Sequence, residues 1–224
     1  MSKPHIYLGN LTYSSWSMRP WLVLKRSGID FEDTVIPLRT DEFAEKIGDI
    51  SPTRLVPVLH VGGAKITDSL AISEWAAEQV PSLWPADALV RAKARSVTAQ
   101  MHSGFSNIRT QFPVNLRRDG ARPDVTPETL AEVKKMEALW RDCLEKSGGP
   151  FLFGDWSIAD AFYTPVATRF RSYQVSIADD SHAYCERLMA EPEFLEWDRR
   201  AASETDTIEA FDTGIPGFAL RVRG

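Results

Sequence analysis

A short stretch in the first third of the chain constrains the fold most. Val56-Pro57 is followed by the apolar residues 58–61, by Gly62-Gly63, by residues 65–67 and then by Asp68-Ser69. An X-Pro bond adopts the cis form at small cost, and paired glycines supply the dihedral angles of a tight turn. The stretch therefore predicts a β-hairpin that opens at a cis-proline. It leads into a helix N-terminus, where free backbone N–H groups favour an anion.

The residues before this stretch supply the rest of a small sheet. Residues 5–9 and 31–37 read as strands. Between them, Ser14 begins a helix that Gly28 ends, because serine is a good N-cap and glycine a good C-terminal stop. Residues 41–50 read as a short irregular helix. The resulting order, β-α-β-α-β-β-α, predicts a small mixed sheet with helices on its faces.

Beyond this unit the pattern becomes wholly helical. Residues 88–117 predict one long helix, bent at Gly104 and Pro113. Further helices are predicted over residues 127–146, from residue 157 onward and over residues 181–190.

Prolines 81 and 85 and the small residues between them mark a linker. We therefore divide the chain into an α/β domain over residues 1–82, a linker over 83–89 and an all-helical domain over 90–224.

The composition argues against several classes of partner. The formal net charge is -5 and there is no basic tract, so nucleic acid is not expected as the main ligand. No zinc-ligand cluster and no apolar run of membrane-spanning length occurs, so neither a metal nor a membrane is expected. Residues 1–6 lack a signal-peptide pattern, and Cys143 and Cys185 lie far apart outside any CxxC motif. These features predict a cytoplasmic protein whose cysteines serve packing.

Three motifs, in order and at suitable separations, give the chain a family resemblance. They are Val56-Pro57, the run Asp68-Ser69-Leu70-Ala71-Ile72, and Ser157-Ile158-Ala159-Asp160, which matches the capping box of a buried helix. Over essentially its whole length the chain resembles a cytosolic glutathione transferase. The resemblance implies a thioredoxin-like α/β N-terminal domain, an all-α C-terminal domain, glutathione as co-substrate and a homodimer.

The start of the first helix resembles the zeta class of that family, which includes glutathione-dependent maleylacetoacetate isomerases. The zeta run is Ser-Ser-Cys-Ser-Trp-Arg, and the run here is Ser14-Ser15-Trp16-Ser17-Met18-Arg19. Trp16 thus stands at the cysteine position and Met18 at the tryptophan position. A missing cysteine argues against oxidoreduction through a protein thiol, so the thiol of glutathione itself is the expected nucleophile.

The family pattern assigns the activation of that thiol to Ser14 or Ser15. A free thiol has a pKa of about 8.5, so only a small fraction is ionised at neutral pH. A hydroxyl donor and a helix N-terminus both stabilise the thiolate, and the two effects meet at these serines. Ser14 is the first candidate and Ser15 the second. The alternative is that both serines only cap the helix.

The resemblance also implies which residues contact the rest of glutathione. The Val56 backbone next to Pro57 would pair with the cysteinyl part like an added strand. Ser69 would hold the γ-glutamyl carboxylate and Asp68 the ammonium group. Two further candidates are Trp16 and Arg54, the second of which would reach the glycyl carboxylate unless it is a solvated loop cation.

The second substrate is expected between the two domains. Its candidate residues are His102, Phe105, Arg109, Phe112, Arg169 and Arg171. The zeta class binds an acidic substrate with an arginine on the later helix, although neither Arg169 nor Arg171 falls quite in that register. The alternative for both phenylalanines is a place in the core, and for His102 a role without catalysis.

Together these features predict a glutathione transferase that conjugates the glutathione thiolate to an electrophilic small molecule. One alternative is a zeta-like cis-trans isomerase of maleylacetoacetate-type substrates. The other is a non-catalytic module that binds glutathione or another ligand without activating a thiol.

Overall fold

A four-stranded mixed sheet forms the first part of the computed structural model, which describes residues 3–120 and 124–212. The strands lie in the order β2-β1-β3-β4. β1 is parallel to β2 and antiparallel to β3, and β3 forms a hairpin with β4. Their ranges are His5–Leu8 (β1), Glu32–Val35 (β2), Val58–Val61 (β3) and Ala64–Thr67 (β4).

Three helices alternate with these strands along the chain, with ranges Ser15–Ser27 (α1), Asp41–Ile50 (α2) and Ser69–Gln79 (α3). α1 begins at the N-cap Ser14 and ends at Gly28, which has a left-handed φ of 72°. α2 is a regular helix capped by Thr40, so the expected irregularity is not found there. The Val56-Pro57 bond is cis, as the sequence predicts. The predicted order of strands and helices is confirmed.

The rest of the described chain is helical. A 3-10 turn at Pro81–Leu83 leads to helices Ala88–Ser103 (α4), Ser106–Gln111 (α5), Pro127–Ser147 (α6), Ile158–Ser172 (α7), Asp179–Ala190 (α8), Pro192–Ala202 (α9) and Glu209–Asp212 (α10). α6 matches its predicted range, α7 starts with the predicted capping box, and α8 begins two residues earlier than predicted. The sequence analysis did not predict α9.

The prediction of one long helix over residues 88–117 is wrong. α4 ends at Ser103, and the helix is interrupted at Gly104 and Phe105, the second of which has a φ of 56°. A Cβ on Gly104 would lie 2.7 Å from the Gln100 carbonyl oxygen, so this turn requires glycine. The helix then restarts as α5 and stops before Pro113, because a proline disfavours helical geometry in the residue that precedes it.

α1 joins the two parts of the molecule. It packs against α3 on one side and against α7 and α9 on the other. α7 is buried along almost its whole length, including the Asp160 side chain, which accepts hydrogen bonds from Leu152 N–H, Ser157 and the Tyr184 hydroxyl. The N-terminus of α1 therefore lies where both parts of the chain contribute side chains.

The two cysteines are buried and unbridged. Burial raises the pKa of Cys143 to about 11 and that of Cys185 to about 12, which keeps both thiols protonated near neutral pH. Within residues 3–120 and 124–212, no helix has the length and apolar character needed to cross a membrane. The same residues contain no group of three or more histidine, cysteine or acidic side chains suited to a metal ion.

Candidate active site

A cleft of about 310 Å³ lies between the cis-proline loop and the N-terminus of α3. Its lining residues are Trp16, Thr53, Leu55, Val56, Pro57, Thr67, Asp68 and Ser69. Five of the six residues predicted to contact glutathione therefore meet around one cavity. The sixth, Arg54, is exposed, and its guanidinium lies against Gly48 of α2.

The α3 end of the cleft carries an unsatisfied donor. The Ser69 side chain is buried, and its hydroxyl has no hydrogen-bonding partner among the described residues. Asp68, the N-cap of α3, accepts from the Leu70 N–H at 2.7 Å and has an unusual φ of 81°. A buried hydroxyl beside the free N–H groups of a helix N-terminus is suited to a carboxylate.

Asp68 also connects the cleft to the helical part of the chain. The Asp68 Oδ2 lies 3.2 Å from the His102 Nε2 on α4. Burial lowers the pKa of His102, with opposition from the Asp68 charge, so His102 is mainly neutral at pH 7 and donates Nε2–H to the carboxylate. The His102 ring meets the Trp16 ring edge-on, with 5.4 Å between their centroids.

Ser14 and Ser15 differ in the hydrogen bonds that they already make. The Ser14 Oγ accepts from the Ser17 N–H at 3.2 Å, and its hydroxyl donates to the Ser17 Oγ at 2.9 Å. The Ser15 Oγ accepts from the Arg169 Nη2 at 3.1 Å. A serine hydroxyl has one hydrogen to donate, and no acceptor for the Ser15 hydrogen occurs in the part of the chain that the structure describes. Ser15 can therefore donate to a ligand without losing a bond, whereas Ser14 cannot.

Three arginines, which we call the arginine cluster, surround this helix start: Arg19, Arg109 and Arg169. Arg19 and Arg109 both lie over the Trp16 ring, 4.5 and 5.0 Å from its centroid, and Arg19 also lies 5.1 Å from that of Phe162. Arg19 is fully buried, and none of its three guanidinium nitrogens has a hydrogen-bonding partner among the described residues.

The positive charges of the arginine cluster are less stable in the protein than they would be in water. Burial, followed by the like charges of Arg109 and Arg169, lowers the pKa of Arg19. Burial also lowers the pKa of Arg109 and, together with the Arg109 charge, that of Arg169. Because a guanidinium stays protonated in proteins, these shifts mean that each charge is less stable here than in water. An anion in this region would be stabilised by all three groups.

The loop that precedes α1 is held by the far end of the chain. Glu204 accepts from the Leu11 N–H at 2.7 Å and from the Thr12 N–H at 2.9 Å. The Tyr13 hydroxyl donates to Asp212 at 2.6 Å. Residues close to the end of the described chain therefore fix the backbone that leads to both serines.

The structure does not bring all predicted substrate residues together. Phe105 and Phe112 are buried in the core, where the Phe112 ring contacts that of Tyr173 at an angle of 45°. Arg171 points toward α9, with its Nη2 3.6 Å from the Asp198 Oδ1. In contrast, His102, Arg109 and Arg169 all lie near Trp16 or Ser15.

Sequence reasoning missed two residues of this region. Arg19 follows Ser15 by four positions, a spacing that places both on one face of α1, and this was the available signal. Glu204 gave no such signal, because the residues it binds are nearly two hundred positions away.

Comparisons with known structures agree with this fold. A glutathione transferase homologue from Burkholderia, solved with bound glutathione, superimposes with a TM-score of 0.71 at 24% identity and covers 91% of this chain and 100% of that one. A glutathione S-transferase from the clam Laternula elliptica has a TM-score of 0.69 at 21% identity and covers 91% and 95%. The fold is that of a glutathione transferase.

Sequence comparisons give the family. The model of the glutathione S-transferase N-terminal domain matches residues 13–79, and that of the C-terminal domain matches residues 123–197. A probable maleylacetoacetate isomerase of Caenorhabditis elegans is 31% identical over 75% of this chain and 80% of its own. A maleylpyruvate isomerase of Ralstonia is 28% identical over 76% and 84%. The chain belongs to the glutathione S-transferase family, and its relatives named as maleylacetoacetate isomerases fit the zeta-like resemblance.

Proposed function

We propose that this protein ionises the thiol of glutathione at the N-terminus of α1 and adds it to an electrophile that carries a carboxylate. The observation that carries this proposal is the Ser15 hydroxyl, which has a hydrogen free to donate and lies beside the arginine cluster. Both the thiolate and a carboxylate are anions, and both gain from that positive charge.

Glutathione is proposed to lie in the cleft beside the cis-proline loop. The unsatisfied Ser69 hydroxyl and the α3 N-terminus supply donors for the γ-glutamyl carboxylate. Asp68, oriented by Leu70 N–H and His102, supplies an acceptor for the γ-glutamyl ammonium group. Val56 is the proposed partner of the cysteinyl backbone, and Arg54 on the exposed rim remains a candidate for the glycyl carboxylate.

Ser15 is proposed as the thiolate donor in preference to Ser14. When the thiol ionises, its proton leaves to solvent and the Ser15 O–H donates to the sulfur. A sulfur electron pair then forms the C–S bond, and the π pair of the electrophile moves toward its activating carbonyl. Protonation of the resulting enolate by water completes the conjugate. Arg19 and Arg109 are the proposed partners of the carboxylate of the electrophile.

Isomerisation is the second candidate, and the relatives favour it. Several of them are named as isomerases of maleylacetoacetate or maleylpyruvate, both of which are anionic. In this reaction the C–S bond breaks again after rotation about the neighbouring carbon–carbon bond, so glutathione is regenerated. The same thiolate and the same arginines serve both reactions.

The first test is the ultraviolet absorbance of bound glutathione thiolate as a function of pH for wild type, Ser14→Ala and Ser15→Ala. A hydrogen bond to a charged group contributes about 1.5–3 kcal/mol, so Ser15→Ala should raise the thiol pKa by about 1 to 2. Ser14→Ala should change it less. A wild-type pKa equal to that of free glutathione would leave the non-catalytic binding module as the better description.

A second test separates the two reactions. Incubation with a cis-unsaturated dicarboxylate such as maleate, followed by product analysis, distinguishes a conjugate from a trans isomer. Consumption of one glutathione per product supports conjugation, and unchanged glutathione supports isomerisation. The homodimer and the cytoplasmic location remain predictions from the family resemblance, and sedimentation velocity tests the first of them.

A further inference from the structure

Arg169 makes contacts that differ from those expected of a ligand-binding arginine. Its side chain is almost fully buried on α7. The Nη2 donates to the Ser15 Oγ at 3.1 Å, and the Nη1 donates to the carbonyl oxygens of Phe112 and, at 3.4 Å, of Arg109. Both arms of the guanidinium are therefore engaged by the protein itself.

These contacts tie the guanidinium to two other helices, α5 and α1. Phe112 and Arg109 are the C-cap and a last-turn residue of α5, and Ser15 lies in the first turn of α1. α7, which carries Arg169, is buried along almost its whole length. A planar guanidinium with both arms bound has little rotational freedom, so the donor that faces Ser15 is held in one position.

A fixed donor on the Ser15 Oγ determines where the Ser15 hydrogen points. The bond from Arg169 occupies one lone pair, and the hydrogen is directed away from the positively charged donor. A hydroxyl that accepts from a cation is also polarised, which makes it a stronger donor in its own right. Ser14 has no such contact and donates to Ser17 instead.

We propose that Arg169 is a positioning residue for thiolate activation, acting through the Ser15 hydroxyl, and is not a binding site for the carboxylate of the electrophile. The inference rests on the proposed function, because it presumes that Ser15 donates to the sulfur of glutathione. It also assigns the two tasks of the cluster to different members. Arg169 orients Ser15, while Arg19 makes no hydrogen bond to any described residue and remains available to an anion. Arg109 uses its Nη2 on the carbonyl oxygens of Met101 and His102, and its Nε has no partner among the described residues.

The test is a double-mutant cycle read out as the pKa of glutathione thiol in the binary complex, with no electrophile present. The proteins are wild type, Ser15→Ala, Arg169→Met and the double variant. Each single substitution should raise the thiol pKa by about 1 or more. The double variant should show no more than the larger single effect, because a residue that acts through Ser15 has nothing to act on once the hydroxyl is gone.

A conservative variant separates geometry from charge. Arg169→Lys keeps the positive charge but lacks the planar fork that reaches Ser15 and the α5 carbonyls together. It should therefore raise the thiol pKa nearly as much as Arg169→Met. If Arg169→Met does not fold, as judged by circular dichroism, the same cycle is carried out with Arg169→Lys. Arg26→Met is the matched control, since it removes a cation from the last turn of α1 that pairs with Glu193.

The outcomes separate this inference from the proposed function. If Ser15→Ala leaves the thiol pKa unchanged, the proposed donor is wrong and the inference falls with it. If Ser15→Ala raises the pKa but Arg169→Lys does not, or the two effects add, the proposed function stands and the positioning role is overturned. If the Arg169 variants raise the KM for an anionic electrophile without changing the thiol pKa, Arg169 binds the substrate and does not position Ser15.

Discussion

Replacing Arg19 by methionine should make the free protein more stable while it removes a function. Burying a charged side chain costs several kcal/mol even after the structure relaxes, and we take about 5 kcal/mol here. The contacts of Arg19 with the Trp16 and Phe162 rings offset this by about 1 to 2 kcal/mol each. No hydrogen bond from its guanidinium to any described residue adds to that offset. The net effect of the charge is a destabilisation of about 2 kcal/mol.

Methionine is unbranched and fills a similar volume, so the substitution should recover that free energy without leaving a large cavity. For a chain of this length, about 2 kcal/mol corresponds to a rise in Tm of about 4 to 8 °C. Differential scanning calorimetry of wild type and Arg19→Met at neutral pH measures it. The control is Arg200→Met, which should lower Tm because Arg200 forms a two-pronged ion pair with Asp33 at 2.8 and 2.5 Å.

The same melts test the function of Arg19. A dicarboxylate such as maleate, added at high concentration, should raise the Tm of wild type because it binds the folded state, and it should raise that of Arg19→Met much less. A lower Tm for Arg19→Met, with an undiminished response to maleate, would refute the reasoning. Arg19 would then be a structural group whose charge is compensated within the fold.

Three further predictions follow from the contacts described above. Ser69→Ala should leave the free energy of unfolding within about 0.5 kcal/mol, because its hydroxyl has no partner in the described residues, yet weaken glutathione binding about 10- to 100-fold by calorimetry. Asp160→Ala should cost about 4 kcal/mol in urea denaturation, since four donors lose their acceptor at about 1 kcal/mol each, and a loss below about 1 kcal/mol would contradict this. Burial lowers the pKa of His102, so its contribution to stability is present above the unfolded pKa of about 6.5 and is lost as pH falls through the lower folded value. Wild type should therefore lose more free energy of unfolding than His102→Gln between about pH 7 and pH 5, and equal losses would count against the assignment.

The parts of the fold that follow from local patterns could be predicted from the sequence. The cis-proline hairpin, the helix start at Asp68-Ser69 and the capping box at Ser157 are each specified by a few adjacent residues. Local chemistry is sufficient there because the residues that interact are neighbours in the chain.

Features that depend on distant residues could not be predicted in the same way. The pattern of residues 88–117 predicted a bend at Gly104 but not a break in the helix, which depends on the close approach to the Gln100 carbonyl and on the left-handed φ of Phe105. The contact that supports the proposal of Ser15 over Ser14 comes from Arg169, which is 154 positions from Ser15. The burial of Arg19 depends on packing between α1 and α7, which no sequence window contains.

The hydrogen bonds from Leu11 and Thr12 to Glu204 affect the order in which parts of the protein fold during synthesis. Leu11 leaves the ribosome 193 residues ahead of Glu204, an interval of about 10 to 40 s at about 5 to 20 residues per second. The sheet of the thioredoxin-like part can form during that time. The N–H groups of Leu11 and Thr12 have no carboxylate to donate to until Glu204 has been synthesised. A nascent chain arrested before residue 204 should therefore have a folded sheet, while the loop that leads to Ser14 and Ser15 is not yet held in place. Under the proposed function, competence to bind and ionise glutathione would follow only after Glu204 has been synthesised.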